Sequence, residues 1–314
     1  MSMEPAPLFE EHHPGPPGGV AHWVNASDGP RIRVGAWNQT GPNGTVMVFP
    51  GRTEYIEKYA VTAQELASRG FASLAIDWRG QGLADRLLDD DRTGHVGTFP
   101  DYQKDVAAML RAARELSLPR PYFLLAHSMG AGIGLRSVME GMPVRAVAFT
   151  GPMWGIQMSA PLRPVAWVLG RLMPALGLGH KLAPSTVPEP YVVANPFEDN
   201  TLTTDREMWQ MMGDHLRTHP ELALGGPSYN WLHQALEETK HLDSRPSPNL
   251  PCIAFLGTNE RIVDPSRIHS RMSRWTDGEL IMIEGGEHEV LMEGPDTRRD
   301  VFDKIAARFL KAAG

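Results

Sequence analysis

The chain has 314 residues, of which 42% are hydrophobic and 21% charged, and its formal net charge is −7. This is the composition of a soluble globular protein with enough apolar residues for one large core. No cluster of Lys and Arg marks a surface for nucleic acid, so we expect no nucleic-acid partner. The single cysteine, Cys252, excludes an internal disulfide, and the N-terminus lacks the pattern of a secretory signal, which together favour a cytoplasmic protein.

The N-terminal part of the chain predicts a flexible segment followed by strands. Residues 1–19 are rich in Pro, Gly, Glu and His and are expected to be flexible. Alternating apolar residues predict strands at 20–24 and 32–37. The continuous apolar run Thr45–Phe49 predicts a short strand that is buried on both faces.

Strands and helices alternate after this point. Apolar runs predict further strands at 71–76, 121–126, 144–150, 252–257 and 280–283. Helical spacing of apolar residues predicts helices at 56–69, 101–116, 129–139 and 296–313. Strands separated by helices of this length indicate a mostly parallel sheet flanked by helices, and we assign residues 20–150 and 251–314 to this α/β core.

The alternation fails between residues 151 and 250, where prolines, short helical patterns and many Trp and Met residues predict a helical insertion over the sheet. We call this segment the cap. Its apolar, Met-rich surface is suited to an acyl chain, and an exposed apolar helix is suited to peripheral membrane contact. For most of these residues, burial in the core of the cap is the plainer explanation.

A serine lies at the junction of a predicted strand and a predicted helix. The run from Phe123 to Gly132 leads from an apolar strand through small residues directly into a helix. This pattern is typical of a nucleophile elbow, in which small residues two positions from the serine let strand and helix approach each other. Ala126 stands where glycine is usual. The pattern predicts Ser128 as a nucleophile, and the alternative is a serine that only caps the helix.

The base that a nucleophilic serine needs is predicted near the C-terminus. Chains with this elbow carry Ser, then the acid, then His. His288 follows the predicted strand 280–283 in a glycine-containing loop and precedes the last helix, so it fits that order. The alternative is a solvated loop histidine. His127, next to the serine, is expected to pack beneath the elbow.

Two carboxylates after the predicted strand 252–257 are candidates for the acid. Glu260 lies just beyond the strand end, the position from which a carboxylate reaches the second nitrogen of the histidine. Asp264 is the fallback, and its alternative role is to cap the helix expected to begin near Pro265. The position favours Glu260 and leaves both candidates open.

The tetrahedral intermediate of such an enzyme needs two N–H donors, known as the oxyanion hole. One donor is expected from Met129, the residue after the serine. The other is expected from the loop after Phe49, where Pro50 and Gly51 turn the chain and should present the N–H of Arg52.

Together these motifs resemble the lysophospholipase and monoacylglycerol lipase branch of the α/β-hydrolases, particularly its bacterial lysophospholipase L2-like members. The resemblance extends from about residue 20 to the C-terminus. It rests on the segments 51–59, 77–82, 126–130, 257–264 and 284–291, and within the cap on 200–205 and 225–231. It implies an α/β-hydrolase fold with an eight-stranded core and a helical cap, no cofactor, and hydrolysis of monoacyl lipids.

Carried over by motif, the resemblance implies that Ser128, Glu260 and His288 are the catalytic residues. The family usually has Asp at position 260 and often His at position 50, where this chain has Pro50. The turn 77–82 lacks the lysine and spacing of a phosphate loop and is expected to be structural, with Arg79 bracing a neighbouring loop.

The sequence thus predicts a serine hydrolase for carboxylic esters, with a lysophospholipid or monoacylglycerol as the favoured substrate. The alternatives are a carboxylesterase or thioesterase for small esters on the same catalytic residues and, less favoured, a non-catalytic binding protein. No metal site is predicted, because the sequence has only one cysteine.

Overall fold

A computed structural model describes residues 3–159 and 161–314 of the chain. These residues form nine strands: β1 (Glu4–Ala6), β2 (Val20–Asn25), β3 (Arg31–Trp37), β4 (Thr45–Phe49), β5 (Ala72–Asp77), β6 (Tyr122–His127), β7 (Val147–Thr150), β8 (Cys252–Gly257) and β9 (Gly278–Ile283). They also form nine α-helices: α1 (Ala60–Ser68), α2 (Tyr102–Glu115), α3 (Ser128–Met139), α4 (Leu162–Ala175), α5 (Tyr191–Ala194), α6 (Arg206–Thr218), α7 (Tyr229–Asp243), α8 (Pro265–Met272) and α9 (Pro295–Ala313).

The strands form one mostly parallel sheet in the order β1-β2-β3-β5-β4-β6-β7-β8-β9. Strands β5, β4, β6, β7, β8 and β9 run parallel, whereas β1, β2 and β3 add an antiparallel edge. Strands β4 to β8 are almost fully buried, which explains their continuous apolar runs. The predicted mostly parallel sheet flanked by helices is confirmed.

Helices cover both faces of this sheet. Helices α1 and α9 pack on one face through residues such as Leu66, Phe302 and Phe309. Helices α2, α3 and α8 cover the other face, where Met109 and Ile268 belong to the larger apolar core. None of the helices in the described part of the chain is long and apolar enough to cross a membrane.

The N-terminal segment differs from its prediction. Where a flexible segment 1–19 is expected, residues 4–6 pair with β2 as a ninth strand, so the sheet exceeds the eight strands that the resemblance implies. Ala6 and Leu8 pack against the core beneath α1 and α9, and the Phe9 ring stacks on His219 with 3.7 Å between ring centroids. Backbone pairing with an open sheet edge and these apolar contacts order the segment. Met1 and Ser2 lie outside the described residues.

Helices α4 to α7 lie between β7 and β8, in the segment predicted to be a helical cap. Helix α4 packs against α7, where Gly170 allows close approach to His233 and the Trp167 ring meets the His233 ring edge-on. Residue 160 of the cap lies outside the described residues. Helices α4, α6 and α7 have 13 to 15 residues, and only α5, with four, is short.

The buried guanidinium of Arg33 joins the antiparallel edge of the sheet to the loops that follow β4 and β5. Arg33 in β3 lies 2.7 Å from a carboxylate oxygen of both Glu57 and Asp77, and the side chains of all three are at most 1% exposed. Asp77 also accepts the backbone N–H groups of Ile56 and Leu83. Arg33 therefore supplies a positive charge that two carboxylates share, and it links the two loops that follow β4 and β5.

Replacing Arg33 with Met should lower the free energy of unfolding by about 3–5 kcal/mol, because Glu57 and Asp77 would remain buried without a counter-charge. Urea unfolding measures this loss. Arg31→Met is the matched control, since Arg31 lies in the same strand but its side chain is 44% exposed. Its contact with Asp85, at 3.7 Å, is longer than the two contacts of Arg33. The control should change the free energy by less than about 1 kcal/mol. Equal losses in the two variants would contradict the account.

Candidate active site

Ser128 lies at the sharp turn between β6 and α3. Its φ angle is 49°, a left-handed conformation that a non-glycine residue adopts only under constraint from its surroundings. The chain continues directly into α3, and the backbone carbonyl of Ser128 accepts the N–H of Met153 at 3.0 Å. The strained turn is that of a nucleophile elbow.

Small residues on either side of the turn allow close packing against the loop after β4. A Cβ atom on Gly130 would lie 2.2 Å from the carbonyl oxygen of Phe49 and 2.4 Å from that of Pro50. Ala126 is fully buried opposite Phe49 in the paired strand. The methyl group of Ala126 fits, whereas position 130 has no room for any side chain.

The structure brings Ser128, His288 and Glu260 into one hydrogen-bonded chain. Nε2 of His288 lies 2.8 Å from Oγ of Ser128, and Nδ1 lies 2.6 Å from Oε2 of Glu260. Gly151 makes room for the imidazole, because a Cβ atom there would lie 2.9 Å from Nδ1. All three side chains are almost fully buried. This arrangement allows the hydroxyl to lose a proton to the imidazole.

Glu260 is held in its ionised form. Its other oxygen, Oε1, accepts the backbone N–H groups of Ile262 at 2.7 Å and Val263 at 3.0 Å. Burial alone would raise the pKa of Glu260, but the hydrogen bond and charge of His288, together with these two donors, keep it below its ordinary value. The charged carboxylate is then available to orient the imidazole.

Asp264, the second carboxylate considered, serves a different purpose. Its side chain caps α8 by accepting the N–H of Ser266 at 3.0 Å, and it lies 3.3 Å from Arg163. The two candidates are therefore separated by position, as the strand-end argument expects: Glu260 lies at the histidine and Asp264 at the helix.

The loop after β4 is braced by the turn 77–82. Trp78 Nε1 donates to the carbonyl of Pro50, and the Gln81 amide donates to the carbonyl of Gly51 and accepts the N–H of Thr53. Glu54 accepts the N–H of Gly51. Among the described residues, the backbone N–H of Arg52 has no acceptor and is free to bind a ligand oxygen. Arg79 braces the adjacent loop as predicted, through Asp28 and Asp105.

The cap holds the loop that carries the histidine. The N–H groups of His288 and Glu289 donate to the carbonyls of Thr201 and Leu202 at 3.3 and 2.7 Å. Thr203 Oγ1 donates to the carbonyl of Met292 at 2.7 Å. The cap segment 200–205 thus fixes the histidine loop as well as covering it.

Behind these loops lie four charged side chains that we call the ion cluster: Glu54, Lys58, His127 and Glu289. All four are at most 6% exposed. The ammonium of Lys58 lies 2.5 Å from Glu54 and 2.6 Å from Glu289. His127 is hydrogen-bonded to the carbonyl of Thr150 at 3.0 Å through Nδ1, while its Nε2 lies 3.3 Å from Glu289. The imidazole of His127 is 4.7 Å from that of His288, measured between ring centroids.

The cluster is balanced when His127 is protonated, with two carboxylates facing two cations. Burial alone would lower the pKa of His127, but the charges of Glu289 and Glu54 outweigh this and raise it above the ordinary imidazole value. Burial would likewise raise the pKa of Glu289, yet His127 and Lys58 hold it well below its ordinary value. Each charge is therefore stabilised by its neighbours.

The same cluster contains the one group in the described part of the chain with suitable donors for a metal. One donor atom from each of Glu54, His127 and Glu289 lies within 4.8 Å of the others. The ammonium of Lys58 already lies between the two carboxylates, where a metal ion would have to bind. The donors are thus satisfied by a side chain, and they do not fit a metal site.

A cavity of about 410 Å³ opens at Ser128 and His288 between the sheet and the cap. Its volume lies within the usual range for small-molecule sites. The lining is mostly apolar and includes Tyr55, Met153, Ile156, Tyr191, Val192, Leu202, Met212, Leu216, Trp231, Leu232, Ile262 and Val263. The site can therefore hold an apolar chain against the hydroxyl of Ser128.

No role is predicted from the sequence for Glu54, Lys58 and Glu289. Their positions are the local indication of a role: Glu54 and Lys58 lie four residues apart in the loop that carries the expected oxyanion donor, and Glu289 follows His288. The pairing of Lys58 with Glu289 spans 231 residues of chain, and no local pattern indicates it.

Comparisons with known proteins identify the family of the chain. The family model described as "Serine aminopeptidase, S33" matches residues 40–295. Lysophospholipase L2 of Escherichia coli is 32% identical over 268 residues, which cover 82% of this chain and 77% of that protein. The probable lysophospholipase L2 of Haemophilus influenzae is 28% identical and covers 83% of this chain and 82% of its own length.

The fold is shared with solved structures of lower identity. A soluble variant of monoglyceride lipase from Saccharomyces cerevisiae, in complex with a substrate analog, superposes with a TM-score of 0.73. The two chains are 18% identical, and the match covers 98% of this chain and 99% of the yeast protein.

Replacing His127 with Asn should destabilise the protein by about 3 kcal/mol near pH 6, because Glu289 and Glu54 would lose a buried cation. Since folding raises the pKa of His127, its contribution is complete below the ordinary imidazole pKa of about 6.5 and is lost as the pH rises through the folded-state pKa. The difference in unfolding free energy between wild type and variant should therefore narrow toward alkaline pH in urea titrations. A difference that does not change with pH would contradict a charged His127.

Proposed function

The chain belongs to the serine aminopeptidase S33 family of α/β-hydrolases, in its lysophospholipase and monoacylglycerol lipase-like branch, and from this premise we propose that it hydrolyses the carboxylic esters of monoacyl lipids with Ser128 as nucleophile. The observation that carries the proposal is the hydrogen-bonded chain from Ser128 through His288 to Glu260 at an apolar cavity. Lysophospholipids and monoacylglycerols are the proposed substrates.

The first half of the proposed reaction acylates the serine. Oγ of Ser128 attacks the ester carbonyl carbon while Nε2 of His288 takes its proton. The negative charge that develops on the carbonyl oxygen is stabilised by the backbone N–H groups of Arg52 and Met129. His288 then gives the proton to the departing alcohol oxygen, and the acyl group stays on Ser128.

The second half releases the fatty acid. His288 removes a proton from a water molecule, which attacks the acyl carbon, and the proton returns to Oγ of Ser128 as the ester breaks. Throughout, the carboxylate of Glu260 accepts a hydrogen bond from the Nδ1–H group of His288, which leaves Nε2 free toward the serine and stabilises the imidazolium.

We further propose that the cap contacts a lipid surface. One face of α4 and its C-terminal cap exposes Leu162, Val165, Val168, Leu172 and Leu176, each 48–61% exposed. The helix has no acidic residue, which suits anionic head groups, and its Arg163 and Arg171 lie 3.3 and 3.5 Å from Asp264 and Glu237. Tyr191 in α5 is 38% exposed and lines the cavity, so the cap also exposes an apolar side chain at the site.

Ser128→Ala should lower kcat on a long-chain monoacyl lipid by about 10⁴-fold or more, because the nucleophile is removed. Glu260→Gln should lower kcat by about 10²–10⁴-fold, because a neutral amide does not orient the imidazole and stabilise the imidazolium as the carboxylate does. Hydrolysis of lysophosphatidylcholine and monoacylglycerol, followed by fatty-acid release, measures both effects.

Asp264→Asn is the matched control for Glu260→Gln, since Asn still caps α8 and the residue lies away from the histidine. Its activity should stay within about threefold of wild type. Turnover confined to short esters would refute the proposal that lipids are the substrates but would leave the proposed mechanism unaffected. Activity that persists in Ser128→Ala would refute the mechanism itself.

Replacing Val168 and Leu172 together with Glu should reduce binding to vesicles containing anionic phospholipid by severalfold, because two charges enter the contact face. Flotation of protein with vesicles measures the bound fraction. Leu310→Glu is the matched control, because Leu310 is 45% exposed on α9, on the core rather than the cap. Equal binding of the wild type and both variants to the vesicles would contradict the proposal that α4 forms the contact face.

A further inference from the structure

One cation in the cavity has no acidic partner. Arg52 is partly buried and lines the same cavity as Ser128. Its Nη1 donates to the carbonyl of Gly225 in the cap at 2.7 Å, and its guanidinium carbon lies 5.6 Å from the centre of the Trp231 ring. These contacts fix the position of the guanidinium but supply no negative charge.

The other cationic side chains that line the cavity are compensated. Lys58 and His127 face the carboxylates of Glu54 and Glu289. Among residues 3–159 and 161–314, no carboxylate lies within salt-bridge distance of Arg52. Loss of water lowers the pKa of Arg52 to about 10, so the group remains charged at neutral pH.

A charge held in this way costs free energy that a ligand of opposite charge would recover. The guanidinium has five N–H donors, of which the described residues engage one. Its planar shape suits two oxygens of a phosphate group in a bidentate contact. The cavity therefore carries a recognition element for an anion next to its apolar lining.

The position of Arg52 along the chain relates this element to the reacting ester. The backbone N–H of Arg52 is the proposed oxyanion donor, so its side chain begins beside the carbonyl that Ser128 attacks. In a lysophospholipid, one glycerol unit separates that carbonyl from the phosphate. A monoacylglycerol has only a hydroxyl at this place.

We propose that the Arg52 side chain binds the phosphodiester of a lysophospholipid and makes the site prefer lysophospholipids over monoacylglycerols of equal chain length. The inference rests on the proposed function, because it assigns the head group of that substrate. A purely structural role, in which Arg52 only holds the cap through Gly225, is the competing explanation.

Binding of uncleavable analogues separates the two explanations. The ligands are an ether-linked lysophosphatidylcholine and a 1-O-alkylglycerol of the same chain, short enough to remain monomeric. The proteins are Ser128→Ala alone and with Arg52→Met or Arg52→Lys, each checked for native folding by circular dichroism. Calorimetry gives the dissociation constants.

The phosphodiester analogue should bind at least about tenfold more tightly than the alkylglycerol, as a charge-assisted contact provides. Arg52→Met should abolish this preference, and Arg52→Lys should retain part of it. Equal affinities with Arg52 present would overturn the inference. An equal loss of affinity for both ligands in Arg52→Met would also overturn it, because that result indicates that Arg52 only holds the cap in place. Because binding needs no turnover, failure of wild type to hydrolyse either lipid would refute the proposed function separately.

Discussion

The geometry of the site depends on the ion cluster, in which Lys58 bridges Glu54 and Glu289 while His127 lies against Glu289. Three of its members lie beside parts of the site: Glu54 accepts the N–H of Gly51 in the loop after β4, His127 precedes Ser128, and Glu289 follows His288. Three loops from distant parts of the chain are thus tied together through buried side chains. Because each buried charge needs the others, none of these loops can shift without leaving a charge uncompensated.

The cap also holds parts of the site that belong to the core. Its segment 200–205 pairs with the histidine loop through backbone hydrogen bonds, and the carbonyl of Gly225 accepts a hydrogen bond from the guanidinium of Arg52. The cap therefore supports both sides of the reacting centre in addition to providing apolar walls. The core positions the hydrogen-bonded chain, and cap residues form part of the cavity wall beside it. This division explains how one fold carries the same chemistry on different substrates.

Much of this architecture follows from local pattern. The strand at Thr45–Phe49, the elbow at Ser128 and the cap of α8 at Asp264 each depend on residues close in sequence, and each was predictable from them. Strand β1 was missed because its order comes from pairing with a sheet edge, which a Pro- and Gly-rich sequence does not indicate. The ion cluster was missed because charged residues are usually solvent-exposed, and their burial here depends on partners brought together only by the fold.

Ser128 is proposed as the activated hydroxyl, and covalent labelling tests this most directly. The native protein would be treated with a fluorophosphonate, which phosphonylates activated serines, and the labelled peptide identified by mass spectrometry. The account predicts one adduct per chain, located on Ser128 and absent after His288→Ala. An unlabelled protein, or an adduct on another serine with Ser128 unmodified, would contradict it.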